Sequence, residues 1–294
     1  MDVESCTIGD LPDWGEACVD DLLATLLEEK SFPCTFAVAA ARKKALRFAF
    51  IESAKDPDRW GPLPDVINEY LRVYKSIDRD TSLVVFFRPE PEPAPLSSYF
   101  SRFWDVLQYL HRKDAQPWPS GLPDDPGEAM WEFSFSGEPM FVVCNTPAHT
   151  RRRSRHSPGM LITFQPRWVF EGLEPDSPRG SSARRVIRNR IRRFDGMEPA
   201  SQLGDYGDAN NLEWKGYFLP DANDEDFRHC PFHQKKTREI GVHQVVVNGR
   251  RQYSLWPSGR RLPSGWSPAG FRGDRQACLA HIEEQWTDMR PLAV

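Results

Sequence analysis

The chain has 294 residues, of which 39% are hydrophobic and 12% aromatic, and it carries 10 tryptophans and a formal net charge of -4. This length and composition allow at least one ordinary hydrophobic core and argue against a disordered chain. The acidic balance argues against a general nucleic-acid binder, so any basic cluster must be a local feature.

The hydropathy pattern and the spacing of the cysteines restrict the class of protein further. No apolar run approaches the roughly 20 residues that span a bilayer, and the first ten residues lack a basic region followed by an apolar one. We therefore expect a soluble, cytoplasmic protein that does not enter a membrane. The six cysteines are scattered without a Cys-x-x-Cys pair, which argues against a zinc ribbon or a disulfide framework and favours free thiols.

Helical and strand-like patterns alternate in the first third of the chain. Apolar residues recur at helical spacing over residues 16–30, 63–77 and 99–113. Short apolar or alternating runs at 45–53 and 82–90 are bounded by proline and aspartate and predict strands.

A hairpin and a short basic helix are predicted next. Two strand-like runs within residues 130–145 are joined by a four-residue Gly/Pro turn at 136–139. Thr146 can cap a helix of about two and a half turns whose first position is Pro147, and the Ser-Pro-Gly at 157–159 would end it.

The pattern then returns to a strand over residues 160–173. Residues 183–195 form a second arginine-rich segment, with Ile187, Ile191 and Phe194 on one helical face. Together these elements predict an α+β fold in which a mixed or antiparallel sheet is flanked by helices.

Composition changes towards the C-terminus. The chain is polar and turn-rich from about 200, with an aromatic island at 210–221, and then has linker-like character. We predict a first domain over 1–232, a linker over 233–240 and a second domain over 241–294.

The last sixty residues contain a set of tryptophan, proline and other positions at fixed spacing. These are Ser254, Leu255, Trp256, Pro257, Pro263, Gly265, Trp266, Cys278, Leu279, Ile282, Trp286, Thr287, Asp288, Arg290 and Pro291. With these residues the segment resembles the MbtH-like family of small accessory proteins. The resemblance implies a three-stranded antiparallel sheet packed on a helix, and docking onto the adenylation domain of a nonribosomal peptide synthetase. It also implies that Trp256 and Trp266 flank a slot for a partner side chain, with Ser254 and Leu255 on the same contact surface. Alternatively, the tryptophans fill the core of a very small domain.

Eight segments of residues 30–232 form a recognisable set of motifs. They are FPCTFA at 32–37, LRFAF at 46–50, LVVFF at 83–87, PWP at 117–119, GEPMFVVCNTPAHTRRRSRH at 137–156, FQPRWVFE at 164–171, EWKGYFL at 213–219 and CPF at 230–232. With these segments, residues 30–232 resemble the YqcI/YcgG family. The resemblance implies a haem protein that hydroxylates nitrogen in arginine-type or related guanidine substrates during specialised metabolism.

The predicted basic helix that begins at Pro147 contains the side-chain types that haem binding requires. If residues 147–156 form this helix, His149, Arg152, Arg153 and His156 share one face at i, i+3, i+4 and i+7. Such a face would offer an iron ligand beside guanidinium groups for haem propionates. From the residues alone, a solvated or anion-binding basic surface is the alternative.

The iron ligand is a separate question. His149 directly follows a strand and is our first choice, while His156 is the rival and could instead be a distal or propionate-contacting group. Cys34, Cys144 and Cys230 are further candidates because thiolate also ligates oxygen-activating haem, although a buried, inert thiol is the common role of such residues.

The expected cofactor is haem b, with dioxygen and an external electron donor, or with peroxide. A cationic guanidine substrate requires a carboxylate partner, and Glu132, Glu138 and Glu213 lie in aromatic-rich segments of the resemblance. Each could equally be a solvated or salt-bridged group.

The sequence therefore predicts a haem-dependent N-hydroxylase of L-arginine or a related guanidine or amine compound, acting in nonribosomal peptide-type biosynthesis. The alternative is a non-catalytic haem-binding or sensor protein that recruits a synthetase adenylation domain. Nucleic-acid binding through the arginines at 151–155 and 184–193 is disfavoured by the acidic net charge. An aromatic-rich surface would allow a homodimer.

Overall fold

The computed structural model divides the chain into two compact units, Met1–His233 and Gln234–Val294. Of the predicted linker 233–240, only His233 lies within the described residues. The structure describes residues 2–29, 31–173, 177–204, 208, 211–227, 229–233, 243–257, 262–273 and 275–286.

The first unit contains a five-stranded sheet and five α-helices. The helices are α1 (Gly15–Leu27), α2 (Thr35–Arg42), α3 (Leu63–Ile77), α4 (Leu96–Lys113) and α5 (Pro178–Phe194). The strands are β1 (Leu46–Ile51), β2 (Ser82–Phe87), β3 (Phe133–Phe135), β4 (Glu138–Asn145) and β5 (Leu161–Pro166).

The sheet is mixed. Its strand order is β1-β2-β5-β4-β3, with β1 and β2 parallel and every other pair antiparallel. The parallel pair requires a crossover connection, which contains α3, whereas the β3–β4 pair is a hairpin. The predicted mixed sheet with flanking helices is confirmed.

Hydrophobic residues lie on both faces of the sheet. In β2, Leu83, Val85 and Phe87 belong to the core cluster that includes α3 and α4, whereas Val84 and Phe86 belong to the cluster that includes α1 and α2. All six residues of β2 are buried, as expected for a strand covered on both sides. No helix of the described residues is long and apolar enough to cross a membrane.

The hairpin turn is shorter than predicted. Phe135 pairs with Glu138, so only Ser136 and Gly137 form the loop. Both have positive φ, at 52° and 77°, as a two-residue turn that matches strand twist requires. Helix α2 is not among the predicted elements.

The predicted helix over residues 147–156 is wrong. Thr146 continues from β4, and its N–H donates to the carbonyl of Arg155 at 3.0 Å. The N–H groups of Arg151 and Arg152 donate to the Asp221 carboxylate instead of to helical carbonyls. The segment is therefore an irregular loop with a single 3-10 turn at Arg153–Arg155.

The second unit is a three-stranded antiparallel sheet followed by a helix, as predicted. Its elements are β6 (His243–Asn248), β7 (Tyr253–Pro257), β8 (Trp266–Gly273) and α6 (Arg275–Gln285). Strand β6 is central, and the order is β7-β6-β8. Val245 and Val246, on opposite faces of β6, are both buried.

Candidate functional site

Two cavities lie side by side in the first unit. The larger has a volume of about 420 Å³ and includes Arg167 and Glu213 in its wall. The smaller, of about 260 Å³, includes Cys34, Arg152 and Arg155. The larger volume falls in the range of cofactor and substrate pockets. Both cavities are lined by Phe36, Phe141, Phe170, Ile187, Ile191 and Leu203.

Strand alternation explains why the cavities lie on one face of the sheet. Met140, Val142 and Cys144 of β4 are fully buried in the core on the α3 and α4 side. Phe141 and Val143 point to the opposite face, where they line the smaller cavity. Apolar and aromatic side chains thus form most of the cavity walls.

Two buried arginines line the smaller cavity. Arg152 is 0% exposed; its Nε donates to the carbonyl of Pro220 at 2.7 Å and its Nη2 to Asn223 Oδ1 at 2.8 Å. Arg155 is 8% exposed, and its Nη2 donates to the carbonyl of Gly216 at 3.1 Å. The Nη1 atoms of both arginines are buried without a hydrogen-bond partner among the described residues.

The Asp195 carboxylate, which also lines the smaller cavity, partly offsets the charge of both guanidinium groups, and Asp221 acts on Arg152 as well. Burial and, to a lesser extent, the neighbouring Arg152 lower the pKa of Arg155 to about 10. Burial also lowers the pKa of Arg152. Two unsatisfied buried donors with like charge favour an anionic group between or beside them.

A second charged cluster borders the larger cavity. Arg167 donates from Nε to Glu132 Oε2 at 2.6 Å and from Nη2 to Glu213 Oε1 at 2.7 Å. Burial raises the pKa of Glu213, although Arg167 acts against that shift. Glu132 is completely buried, and its Oε1 has no partner among the described residues.

The sheet and a short helical turn position this cluster. Glu132 precedes β3 and Arg167 follows β5. Because Phe133 and Pro166 both pair with Met140 of β4, the start of β3 and the end of β5 lie at the same level of the sheet. Glu213 begins the 3-10 turn Glu213–Gly216. Tyr217 fixes that turn, since its hydroxyl accepts the N–H of Phe133 and donates to the carbonyl of Met140, both at 3.1 Å.

The third predicted carboxylate lies elsewhere. Glu138 begins β4, pairs across the hairpin with Phe135 and interacts with Tyr74, whose pKa is raised chiefly by burial and further by this carboxylate. Glu138 lines neither cavity. The structure thus brings Glu132 and Glu213 together and leaves Glu138 apart.

His149 is fully buried with both ring nitrogens engaged. Its Nε2 lies 2.9 Å from the carbonyl of Leu219, which can only accept, so Nε2 carries the proton. The Thr146 hydroxyl then donates to Nδ1, also at 2.9 Å. Burial lowers the pKa of His149 to about 4, which keeps the ring neutral. In this arrangement neither nitrogen is free to bind iron.

The other two residues of the predicted face point away from the cavities. Arg153 reaches Glu29 at 3.3 Å and covers the ring of Phe194, and its side chain is 55% exposed. His156 is exposed; its Nδ1 donates to the carbonyl of His149, and it borders a separate space of only about 20 Å³. The four-residue face therefore does not form, and of its members only Arg152 lines a candidate cavity.

Cys34 is the cysteine that lines the smaller cavity, which the Asp195 carboxylate also lines. It is the N-cap of α2, and its Sγ accepts the N–H of Ala37 at 3.4 Å. Burial raises the pKa of its thiol. The backbone N–H groups of Ala37 and Phe36 and the charge of Arg155 act in the opposite direction. Cys144 faces the other side of the sheet, and Cys230 packs against the core there.

The second unit presents a separate candidate surface. The register pairs Val246 with Ser254, Gln244 with Trp256 and Asn248 with Trp266. Because residues opposite each other across strands share a face, Ser254, Trp256 and Trp266 lie on one face of the sheet. Leu255 lies on the other face by strand alternation, so the predicted common contact surface of Ser254 and Leu255 is wrong.

Comparison with known proteins agrees with this architecture. Residues 23–233 match the family model described as "YqcI/YcgG family". The chain belongs to the YqcI/YcgG family. Residues 232–294 match the model described as "MbtH-like protein". The chain therefore joins a YqcI/YcgG unit to a C-terminal MbtH-like unit.

Relatives cover most of the YqcI/YcgG unit. The uncharacterized proteins YqcI and YcgG of Bacillus subtilis are 36% and 37% identical to this chain, over 71% and 76% of its length and 83% and 89% of theirs. A Streptomyces lavendulae protein named "Putative N(omega)-hydroxy-L-arginine synthase DcsA" is 36% identical over 76% of this chain and 85% of its own length.

The YqcI/YcgG unit could hold a haem on structural grounds. The apolar walls suit the macrocycle, and the unpartnered Nη1 atoms of Arg152 and Arg155 suit its carboxylates. Among the described residues no cluster of three or more His, Cys, Asp or Glu side chains could hold a bare metal ion. Haem iron requires only axial ligation from the protein, so this does not argue against the fit.

Sequence reasoning missed Arg155 and Arg167 as site residues. Helical spacing predicts Arg153 and not Arg155 as a site residue, and this prediction is wrong because the segment is not a helix. Arg167 directly follows a strand, but β3 and β5 run in the same direction with β4 between them. Only the register that pairs Phe133 and Pro166 with Met140 brings Arg167 to Glu132, and local sequence patterns do not provide that register.

Proposed function

We propose that this YqcI/YcgG protein N-hydroxylates L-arginine, or a related guanidine compound, with haem as its cofactor. The observation that carries the proposal is a buried cluster in which Arg167 bridges Glu132 and Glu213, with Arg167 and Glu213 in the wall of a largely apolar cavity of about 420 Å³. The name of the Streptomyces lavendulae relative supports arginine as the substrate.

The carboxylate pair suits a cationic substrate. With all three groups ionised, Glu132, Glu213 and Arg167 carry one negative charge in excess, in a site where solvent screens little. A guanidinium ion entering the cavity would neutralise that excess. It would also favour the ionised form of Glu213, whose pKa burial raises.

The protein's share of the reaction is binding and orientation. Glu213 would accept hydrogen bonds from the substrate guanidinium and hold the reacting nitrogen in one position. Phe36, Phe141 and Phe170 line both cavities and would exclude water from the space between substrate and cofactor. Haem, when bound, supplies the oxygen activation that the side chains cannot.

The overall reaction balances with an external reductant. One atom of dioxygen is inserted into an N–H bond of the guanidine, and the other leaves as water with two electrons and two protons from that reductant. With hydrogen peroxide, one oxygen is inserted, the other leaves as water, and no further electrons are needed.

The test is product formation by the haem-loaded full chain. Incubation with L-arginine, a reductant and dioxygen should give a product heavier by one oxygen, detected by mass spectrometry. In Glu213→Gln, kcat/KM should fall roughly 10- to 100-fold because a charge-assisted hydrogen bond to the guanidinium is lost.

Glu138→Gln is the matched control, since this carboxylate lies outside both cavities. Its kcat/KM should stay within about twofold of the wild-type value. Absence of hydroxylated arginine with a loaded wild-type protein would refute the proposed activity. Equal losses in the two variants would refute the role of Glu213.

We also propose that the MbtH-like unit binds the adenylation domain of a nonribosomal peptide synthetase. The supporting observation is the shared sheet face of Ser254, Trp256 and Trp266. The hydroxylated amino acid would then be made beside an enzyme that activates amino acids.

A further inference from the structure

One cysteine differs from the other five in its surroundings. The structure describes all six cysteines as free thiols, and of these Cys34 alone lines either of the two neighbouring cavities. Cys34 lies in the wall together with Phe36, Arg152 and Arg155. Its sulfur is thus placed at an apolar space with two cationic groups.

Backbone donors at this position partly offset the effect of burial, which raises the pKa of the Cys34 thiol. Sγ accepts the N–H of Ala37 at 3.4 Å from the first turn of α2, an eight-residue helix. Unsatisfied N–H groups at a helix N-terminus favour negative charge. Hydrogen bonds to a ligating sulfur also tune a bound iron.

A second, independent observation indicates a ligand in this cavity. Arg152 and Arg155 are 0% and 8% exposed, and each keeps Nη1 without a partner among the described residues. A buried guanidinium nitrogen left unpaired is destabilising, so the arrangement favours a ligand that brings acidic groups. A large apolar molecule with carboxylates, as haem is, meets both requirements.

The geometry points to Cys34 as the thiolate ligand of haem iron, with Arg152 and Arg155 pairing with the haem carboxylates. This inference rests on the proposed function for the presence of haem. On binding, a sulfur–iron bond forms, the thiol proton is released to solvent, and no electron is transferred. His149 is not available for this role because both of its nitrogens serve the fold.

The decisive experiment is the absorption spectrum of the haem-loaded full chain, reduced and exposed to carbon monoxide. Wild type should show the Soret band at the long wavelength that distinguishes thiolate from imidazole ligation. Cys34→Ser should lose that band. Serine can still accept the Ala37 N–H as a helix cap, so the variant should remain folded.

Cys144→Ser is the matched control, because Cys144 is equally buried but faces the opposite side of the sheet. It should keep the thiolate-type spectrum. In Arg155→Met, haem affinity should fall about tenfold or more while the bound haem keeps that spectrum, since a carboxylate contact and not the sulfur is removed.

Three results would overturn the assignment: a wild-type spectrum of imidazole type, an unchanged spectrum in Cys34→Ser, or failure of the wild-type chain to take up haem. The proposed activity is tested independently of the ligand. A thiolate-type spectrum without hydroxylated arginine would refute the proposed function but support Cys34 as the ligand. Hydroxylated arginine made by Cys34→Ser with an unchanged spectrum would support the function but refute Cys34 as the ligand.

Discussion

His149 joins two distant parts of the chain through a single neutral imidazole. Its Nε2 donates to Leu219, seventy residues away, while Nδ1 accepts from Thr146. A protonated ring would lose the second of these bonds and would carry an uncompensated charge in a fully buried position. The residue therefore makes folding sensitive to pH.

The direction of that sensitivity follows from the pKa values. Burial lowers the folded-state pKa of His149 to about 4, whereas an unfolded chain has the ordinary value near 6.5. Between these values the unfolded state binds a proton that the folded state does not. The free energy of unfolding should therefore fall as pH drops from about 6.5 to 4, by roughly 3 kcal/mol in total.

His149→Gln should remove this contribution. Glutamine can still donate to the Leu219 carbonyl but does not titrate, so the difference in unfolding free energy between wild type and variant should shrink as pH falls from 7 to 4. Urea denaturation at a series of pH values measures it. Parallel pH curves for the two proteins would show that His149 does not titrate as proposed. His156→Gln, at an exposed site, provides the comparison.

At the scale of elements, two carboxylates hold the loop 146–156. Asp195 accepts the N–H and the hydroxyl of Ser154, both at 2.7 Å, and Asp221 holds the residues before it. Asp221 accepts the Thr150 hydroxyl at 3.0 Å and the N–H groups of Arg151 and Arg152 at 3.0 and 2.9 Å. These backbone hydrogen bonds lower the pKa of Asp221 against the effect of burial. The loop in turn places Arg152 in the wall of the smaller cavity.

Asp221→Ala should therefore destabilise the first unit by about 2 kcal/mol, the usual size for a group that accepts several charge-assisted hydrogen bonds. Backbone amides of 150–156 should exchange with deuterium faster than in wild type. Asp226→Ala is the control, because Asp226 makes only exposed contacts among the described residues, an ion pair with Lys215 at 3.4 Å and a hydrogen bond from Gln202 Nε2 at 3.3 Å, and its loss should change stability by less than about 0.5 kcal/mol. Unchanged exchange in Asp221→Ala would contradict the role of this carboxylate.

The same loop shows what local sequence patterns can predict. The helix over 63–77 follows from apolar spacing, because Leu63, Ile67, Tyr70 and Tyr74 bury one face regardless of the rest of the chain. The loop's spacing is equally helical, yet Asp221, far along the sequence, takes the N–H groups that a helix would need. Tertiary hydrogen bonding of this kind leaves no periodic signal.

Only part of the candidate site could be predicted from the sequence, because the rest depends on a loop conformation that tertiary hydrogen bonds set. Glu132 and Glu213 were predicted from chemistry, since a guanidine substrate needs a carboxylate, and the structure brings them together on Arg167. The face of His149, Arg152, Arg153 and His156 depended on helical geometry and is absent. Which arginine faces a cavity is decided by the loop conformation, so spacing selected Arg153 where the structure has Arg155.

At the scale of the whole molecule, one chain carries a candidate catalytic cavity and a candidate docking face in separate units. Covalent linkage of this kind raises the local concentration of one activity near the partner of the other, to about the millimolar range for short flexible connections. If the MbtH-like unit binds an adenylation domain, hydroxylated arginine would be released close to the enzyme that consumes it. Docking therefore matters for product transfer even without any effect on the chemistry.

Docking can be tested on the face that the strand register defines. Trp256 and Trp266 lie on the same face, and buried tryptophans at interfaces commonly contribute 2 kcal/mol or more to binding. Substitution of either by alanine should weaken the complex of the full chain with an adenylation domain by about 30-fold or more, measured by titration calorimetry. Trp14→Ala, which removes a half-buried tryptophan from the first unit, should leave the affinity within about twofold. If both single variants bind as tightly as wild type, the partner does not use this face, and the tryptophans serve the packing of the small unit instead.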